Sequence, residues 1–161
     1  MMPPLASPRL ELLSRFVLLA MLSLPAIAAD WKLISETEDP EKVISWYVDL
    51  KSIVHDDDYL RAFLRTTWSA PQYGPDGTAY QSSTYLNYFD CDAHTIAFTA
   101  NAYYRLEEPV GQPVHKEPEQ PVSALQFQSV IPGSAGERRL EFVCNFRSKN
   151  FLTQAAGSAH G

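Results

Sequence analysis

The sequence predicts an α+β domain: a single antiparallel β-sheet of about six strands, with one C-terminal helix packed on a face and tethered there by a disulfide. Three observations predict it. In a chain rich in Tyr, Phe, Thr, Val and Ile, the residues from Tyr59 to Ser69 alternate with period two, the pattern of a half-buried antiparallel strand. After Ser134 the apolar residues recur at helical spacing instead. The 161 residues include only two cysteines, Cys91 at the end of a predicted strand and Cys144 on the predicted helix.

Trp31 to Glu36 forms a short first strand, broken by Glu38-Asp39-Pro40-Glu41, and Val43 to Asp49 forms a second. The polar run His55-Asp56-Asp57-Asp58 turns the chain into a third strand, Tyr59 to Ser69. There Leu60, Ala62, Leu64 and Trp68 share one face, and Tyr59, Arg61, Phe63, Arg65 and Thr67 the other. Pro71, Gly74, Pro75 and Gly77 make a loop. Gln81 to Cys91 is the fourth strand, with aromatic residues on both faces. Two covered faces follow, one under the helix and the other under a second subunit. After the turn Asp92-Ala93-His94, Thr95 to Arg105 is a fifth strand, with Ile96, Phe98, Ala100, Ala102 and Tyr104 on its apolar face. Leu106 to Val122 carries four prolines and reads as an extended, mobile loop. Ala124 to Val130 reads as the last strand.

Ser134 and Glu137 stand three residues apart, as a capping box requires, and start the helix. Leu140, Val143, Cys144 and Arg147 then continue its inward stripe. The pattern ends the helix near Phe146 or Arg147. Residues 148–161 read as a flexible tail, leaving 29–147 as the domain.

An export signal precedes both cysteines. Arg9 and Arg15 are basic, Phe16 to Leu24 is an apolar core, and Ala26-Ile27-Ala28 supplies small residues for cleavage. Residues 1–28 are therefore expected to be a cleaved signal peptide. The apolar run is too short to span a bilayer, which needs about 20 apolar residues, so no transmembrane segment is expected after cleavage. No cysteine follows the apolar core to accept a lipid. Two thiols delivered to an oxidising compartment are expected to pair. The alternatives, two buried free thiols or a metal pair, fit export poorly.

Of 13 basic and 19 acidic residues, the signal removes Arg9, Arg15 and Glu11, leaving 11 and 18 and a net charge of −7. With no basic stripe, nucleic acid is excluded as a partner, and anionic membrane surfaces are disfavoured.

Tyr59, Arg61, Phe63 and Arg65 alternate rings and guanidinium groups, a composition enriched at interface centres. They are the candidate binding residues, set against an ordinary outward face with cross-strand pairs. His55-Asp56-Asp57-Asp58 and the group Asp90, Asp92 and His94 lack metal-ligand spacing and read as turns. No nucleophile elbow, paired-histidine zinc motif or glycine-rich phosphate loop occurs. The expectation is no catalytic residue, no cofactor and no metal.

The chain resembles the surface-adhesin protein E family of Gram-negative bacteria. The resemblance lies in Ala29-Asp30-Trp31-Lys32-Leu33-Ile34, Tyr47-Val48-Asp49, and Ser82-Ser83 leading to Tyr88-Phe89-Asp90-Cys91. Its most specific part is Val130-Ile131-Pro132-Gly133-Ser134-Ala135-Gly136-Glu137, followed by Leu140 and Phe142-Val143-Cys144. It implies a sheet with a disulfide-tethered C-terminal helix, and a periplasmic or cell-surface binding module associated with adhesion to host proteins.

Three functional readings follow. The first is an exported, non-enzymatic binding module for a protein partner, including a host extracellular protein. Its recognition elements are the Pro71–Thr78 loop and the Pro-rich segment after Arg105, because recognition usually sits on loops held by a rigid scaffold. The second is a periplasmic structural or assembly factor that forms a homodimer through the outer sheet face. The third is a small-ligand carrier using the space between helix and sheet.

Overall fold

The structure is a computed structural model and describes residues 29–38 and 41–157. The expected signal peptide lies outside the described residues. Among the described residues eight strands form one antiparallel sheet: β1 (Trp31–Glu38), β2 (Val43–Asp49), β3 (Val54–Asp56), β4 (Tyr59–Tyr73), β5 (Ala79–Asp90), β6 (Thr95–Tyr104), β7 (His115–Lys116) and β8 (Gln128–Ser129). The main order is β1-β2-β4-β5-β6-β7, with β3 beside β4 and β8 beside β6. The extra strands beyond the expected six are pieces of two or three residues. Helix α1 spans Ala135–Gly157.

Alternation along β4 and β5 builds the core. Leu60 pairs with Phe89, Ala62 with Asn87 and Leu64 with Tyr85, so these side chains share the face beneath α1. Val48, Leu60, Ala62, Leu64, Phe89, Leu140 and Val143 form one buried cluster, edged by Ile34, Ile96, Val130, Cys91 and Cys144. Full burial of a side chain such as Leu140 or Val143 contributes about 1.5–3 kcal/mol. These side chains fill the space between helix and sheet that the carrier reading would use.

Three contacts fix the helix. Cys91 and Cys144 are disulfide-bonded, with Cα atoms 5.9 Å apart. The Arg138 Nε donates to Ser35 Oγ at 2.7 Å, and Arg139 NH1 donates to the Tyr85 hydroxyl at 2.8 Å. At the N-terminus the Glu137 N–H donates to Ser134 Oγ at 3.2 Å. The Glu137 carboxylate accepts from Gly133 N at 2.6 Å rather than from Ser134 N, which donates instead to Ile131 O. The capping box is thus displaced by one residue on its carboxylate side. Gly133 takes φ +76°, a conformation that glycine adopts without steric cost.

Four expectations need correction. The helix continues past Arg147 to Gly157, because neither proline nor glycine interrupts the chain before Gly157. The segment expected as a tail from residue 148 therefore begins inside α1. The apolar face of β6 is broken by a bulge, where Leu86 pairs with Thr99 but Thr84 pairs with Ala102, and Ala100 takes φ 52°. Phe98, on the predicted apolar face, is 61% exposed. The last strand shrinks to Gln128–Ser129, preceded by a 3-10 turn at Val122–Ala124.

The largest correction concerns the Pro-rich segment. It packs against the sheet along its length rather than hanging as a free loop. Ser82 Oγ donates to Leu106 O at 2.7 Å, and Arg65 NH1 donates to Glu108 Oε2 at 2.9 Å. The chain then runs down the edge of β6. Val114 N donates to Tyr103 O and Glu117 N to Asn101 O, both at 2.7 Å. Gln120 N donates to Thr99 Oγ1 at 2.7 Å, and β8 pairs with Thr95 and Ile96. Finally Phe127 stacks on Tyr59, 4.6 Å between centroids. This strap shields the β6 edge, which would otherwise be open to pairing with another chain. It also answers the question raised by aromatic residues on both faces of β5. Leu86 and Tyr88 are buried on the face away from α1, with this chain's own strap on that side and no second subunit needed.

Candidate functional site

The four candidate binding residues do lie together on the face away from α1, where β4 pairs Arg61 with Tyr88, Phe63 with Leu86 and Arg65 with Thr84. Most of them are occupied internally. Arg65 is only 8% exposed. Its guanidinium carbon sits 4.3 Å from the Tyr47 ring centroid and 5.2 Å from that of Trp31, while NH1 reaches Glu108. The cation–π contacts tie β4 to β1 and β2 across the sheet face, and the Glu108 bond ties it to the strap. Tyr59 is stacked on Phe127, and Arg61 Nε approaches Asp56 Oδ2 at 3.5 Å. Asp56 also accepts from the Tyr88 hydroxyl at 2.9 Å. Burial, then the Asp56 hydrogen bond, raises the Tyr88 pKa above the ordinary 10.0. Phe63 remains open, at 44% exposure.

The acidic turns have local partners. Asp57 sits at φ 52° in the β3–β4 turn, and Asp90 accepts from Asp92 N and Ala93 N in the β5–β6 turn. Among the described residues no group of three or more histidine, cysteine or acidic side chains is arranged to hold a metal ion. No helix among them is long and apolar enough to cross a membrane.

The two segments expected to carry recognition meet instead at the other end of the sheet. Between the β4–β5 loop and the strap lies an open cleft of about 460 Å³. Tyr73 comes from the end of β4, Gly74, Pro75, Asp76 and Thr78 from the loop, Tyr80 and Tyr103 from β5 and β6, and Val114, His115 and Glu117 from the strap. This volume lies in the range of ligand-binding clefts, about 300–1,000 Å³.

Each wall is set by local structure. In the loop Gly74 N donates to Thr78 O and Gly77 N to Gly74 O, both at 3.0 Å. Gly77 takes φ +77°, where a side chain would be strained. The Asp76 carboxylate accepts from Thr78 N at 3.0 Å and from Thr78 Oγ1 at 2.8 Å. Those bonds, the backbone one foremost, lower its pKa below the usual 3.8 and keep it ionised. The floor is a row of rings crossing the strands. Trp68 meets Tyr80 edge-on at 5.5 Å, Tyr80 meets Tyr103 at 4.9 Å, and Tyr103 faces His115 at 5.8 Å. Tyr103 ionises above 10.0, through burial first and the nearby Glu117 charge second. Glu117 is anchored by Asn101 Nδ2, and its other oxygen lies 3.6 Å from His115 Nε2. Tyr73 at the rim is 70% exposed. The arrangement offers aromatic surface and two carboxylates, which suits binding.

The sequence pointed to both loops but not to this ring row. The usable signal was the position of Tyr80 and Tyr103 beside the loop and the strap, which only the β5–β6 register makes adjacent.

Two solved structures of protein E from Haemophilus influenzae share the fold. One matches with a TM-score of 0.52 at 12% identity, covering 76% of this chain and 90% of that one. The other, from a non-typeable strain, matches with a TM-score of 0.50 at 15% identity, covering 85% and 95%. No curated protein matches the sequence. The family profile of Surface-adhesin protein E matches residues 31–145, from the first strand to just past Cys144 in α1. The chain belongs to the Surface-adhesin protein E family.

Proposed function

We propose that this protein is an exported, non-enzymatic binding module that meets a protein partner outside the cell, a host extracellular protein included. The observation that carries the reading is the convergence of the β4–β5 loop and the strap on one open aromatic cleft. Both are held by a sheet whose helix is covalently pinned. Preformed walls reduce the ordering cost of association. The exposed Tyr73 and the half-buried Tyr80 and Tyr103 supply contact area with few rotatable bonds. Family membership supports adhesion as the task, and the signal at residues 1–28 supports export.

Two measurements test this. Membrane-impermeant labelling of intact cells should tag the mature protein, and tagging only after the outer membrane is opened would defeat a surface role. Beads coated with the mature protein should adhere to deposited extracellular matrix, and Tyr73→Ala should weaken that adhesion without altering stability. Adhesion unchanged in the variant would remove the cleft from the account.

A further inference from the structure

We infer that the aromatic cleft receives a cationic side chain, lysine or arginine, presented by an extended segment of the partner polypeptide. This rests on the reading of the cleft as the recognition site and names the chemistry it selects. Three features point the same way. The lining carries two carboxylates, Asp76 on the loop and Glu117 on the strap, and no lysine or arginine. Asp76 is held ionised by two hydrogen bonds from Thr78, so its charge is fixed in direction as well as sign. In the same lining the Tyr80 and Tyr103 rings, 4.9 Å apart and inclined at 65°, form a corner, with Tyr73 at the rim. Ring faces attract cations, and more strongly where water is partly excluded.

The alternatives fit less well. An anionic group would face two carboxylates, with only the exposed His115 to offset them. A purely apolar side chain would desolvate the Glu117 and Asp76 carboxylates without return. The protein's net negative charge adds long-range attraction for a basic segment. Two other surface hollows among the described residues lack this combination. One, at Phe98 and Gln120, has no carboxylate, and the other, at Glu141 and Phe142, has one and no tyrosine.

The test uses the mature protein and three N-acetylated pentapeptide amides, Gly-Ser-X-Ser-Gly, with X as lysine, norleucine or glutamate. Binding is followed by NMR shifts of the Thr78 amide and the Tyr103 ring. The lysine peptide should move both, and the norleucine and glutamate peptides should bind at least several-fold more weakly. Asp76→Asn with Glu117→Gln removes both charges and leaves one acceptor oxygen on each side chain, for Thr78 N and Asn101 Nδ2, while the new amide at position 76 can donate to Thr78 Oγ1. It should weaken the lysine peptide roughly five-fold, as expected for two solvent-exposed ion pairs, and flatten its salt dependence. Equal binding of norleucine, stronger binding of glutamate, no peptide binding, or indifference to the double substitution would each overturn the inference. If the lysine peptide fails while Tyr73→Ala still abolishes bead adhesion, the cation assignment falls and the recognition cleft stands. If the lysine peptide binds and Tyr73→Ala leaves adhesion intact, the pocket's chemistry is confirmed and its role in adhesion is lost.

Discussion

Arg65 separates a structural strap from a binding face. On a binding face its loss would cost partner affinity and spare the fold. The structure argues the reverse. Arg65→Ala removes a guanidinium lying over Tyr47 and Trp31, contacts worth about 0.5–2 kcal/mol each. It also removes the bond to Glu108, whose carboxylate is 70% exposed, so solvent screening holds that part below about 1 kcal/mol. Part of this is offset, because the guanidinium is desolvated and its Nε has no hydrogen-bond partner. The net expectation is a loss of about 2–3 kcal/mol, which moves a urea midpoint by roughly 1 M or more for a domain of this size. Glu108→Gln should cost less than about 1 kcal/mol. Arg65→Lys should recover only part of the loss, since an ammonium does not stack flat on two rings. Hydrogen exchange should show the backbone near Glu108 opening in the alanine variant. An unchanged midpoint together with lost partner binding would refute the reasoning and restore the face as an interface.

Three further outcomes follow from the same structure. Replacing both Cys91 and Cys144 with serine should lower stability by about 4 kcal/mol, the chain-entropy value for a closed loop of 53 positions, read from urea unfolding. A change under about 1 kcal/mol would show that packing alone seats the helix. Ser134→Ala should cost about 1 kcal/mol, because the Glu137 N–H loses its acceptor at the helix start. Tyr88 should ionise above 10.0 in spectrophotometric titration. The stability it contributes is complete below pH 10 and is lost as pH rises through its folded value, and Tyr88→Phe should reduce the alkaline slope to the part that Tyr103 leaves.

What could be read in the sequence depended on which forces act locally. The alternation of Leu60, Ala62 and Leu64 and the Ser134–Glu137 cap are encoded over a few residues, and β2, β4 and the helix start were legible. The disulfide was legible because two thiols expected to reach an oxidising compartment are expected to pair. The β6 bulge was not, since Ala100 carries none of the glycine or asparagine signals for a positive φ. The strap was missed because its partners are dispersed: Arg65, Ser82 and Thr99 each supply one bond and Asn101 two, all from different strand positions. Four prolines suggested mobility by composition, whereas the same prolines suit an extended path along a sheet edge. The cleft inherits that difficulty, being formed where the strap meets a loop distant in sequence.

The binding role of the cleft is tested most directly by bead adhesion to extracellular matrix with two matched variants. One carries Tyr73→Ala, Asp76→Asn and Glu117→Gln in the cleft, and the other carries Phe63→Ser on the face away from α1. The cleft variant should lose adhesion while unfolding at an unchanged urea midpoint, and Phe63→Ser should adhere like wild type. Full adhesion by the cleft variant, with loss in Phe63→Ser, would place recognition on the outer sheet face and contradict the account.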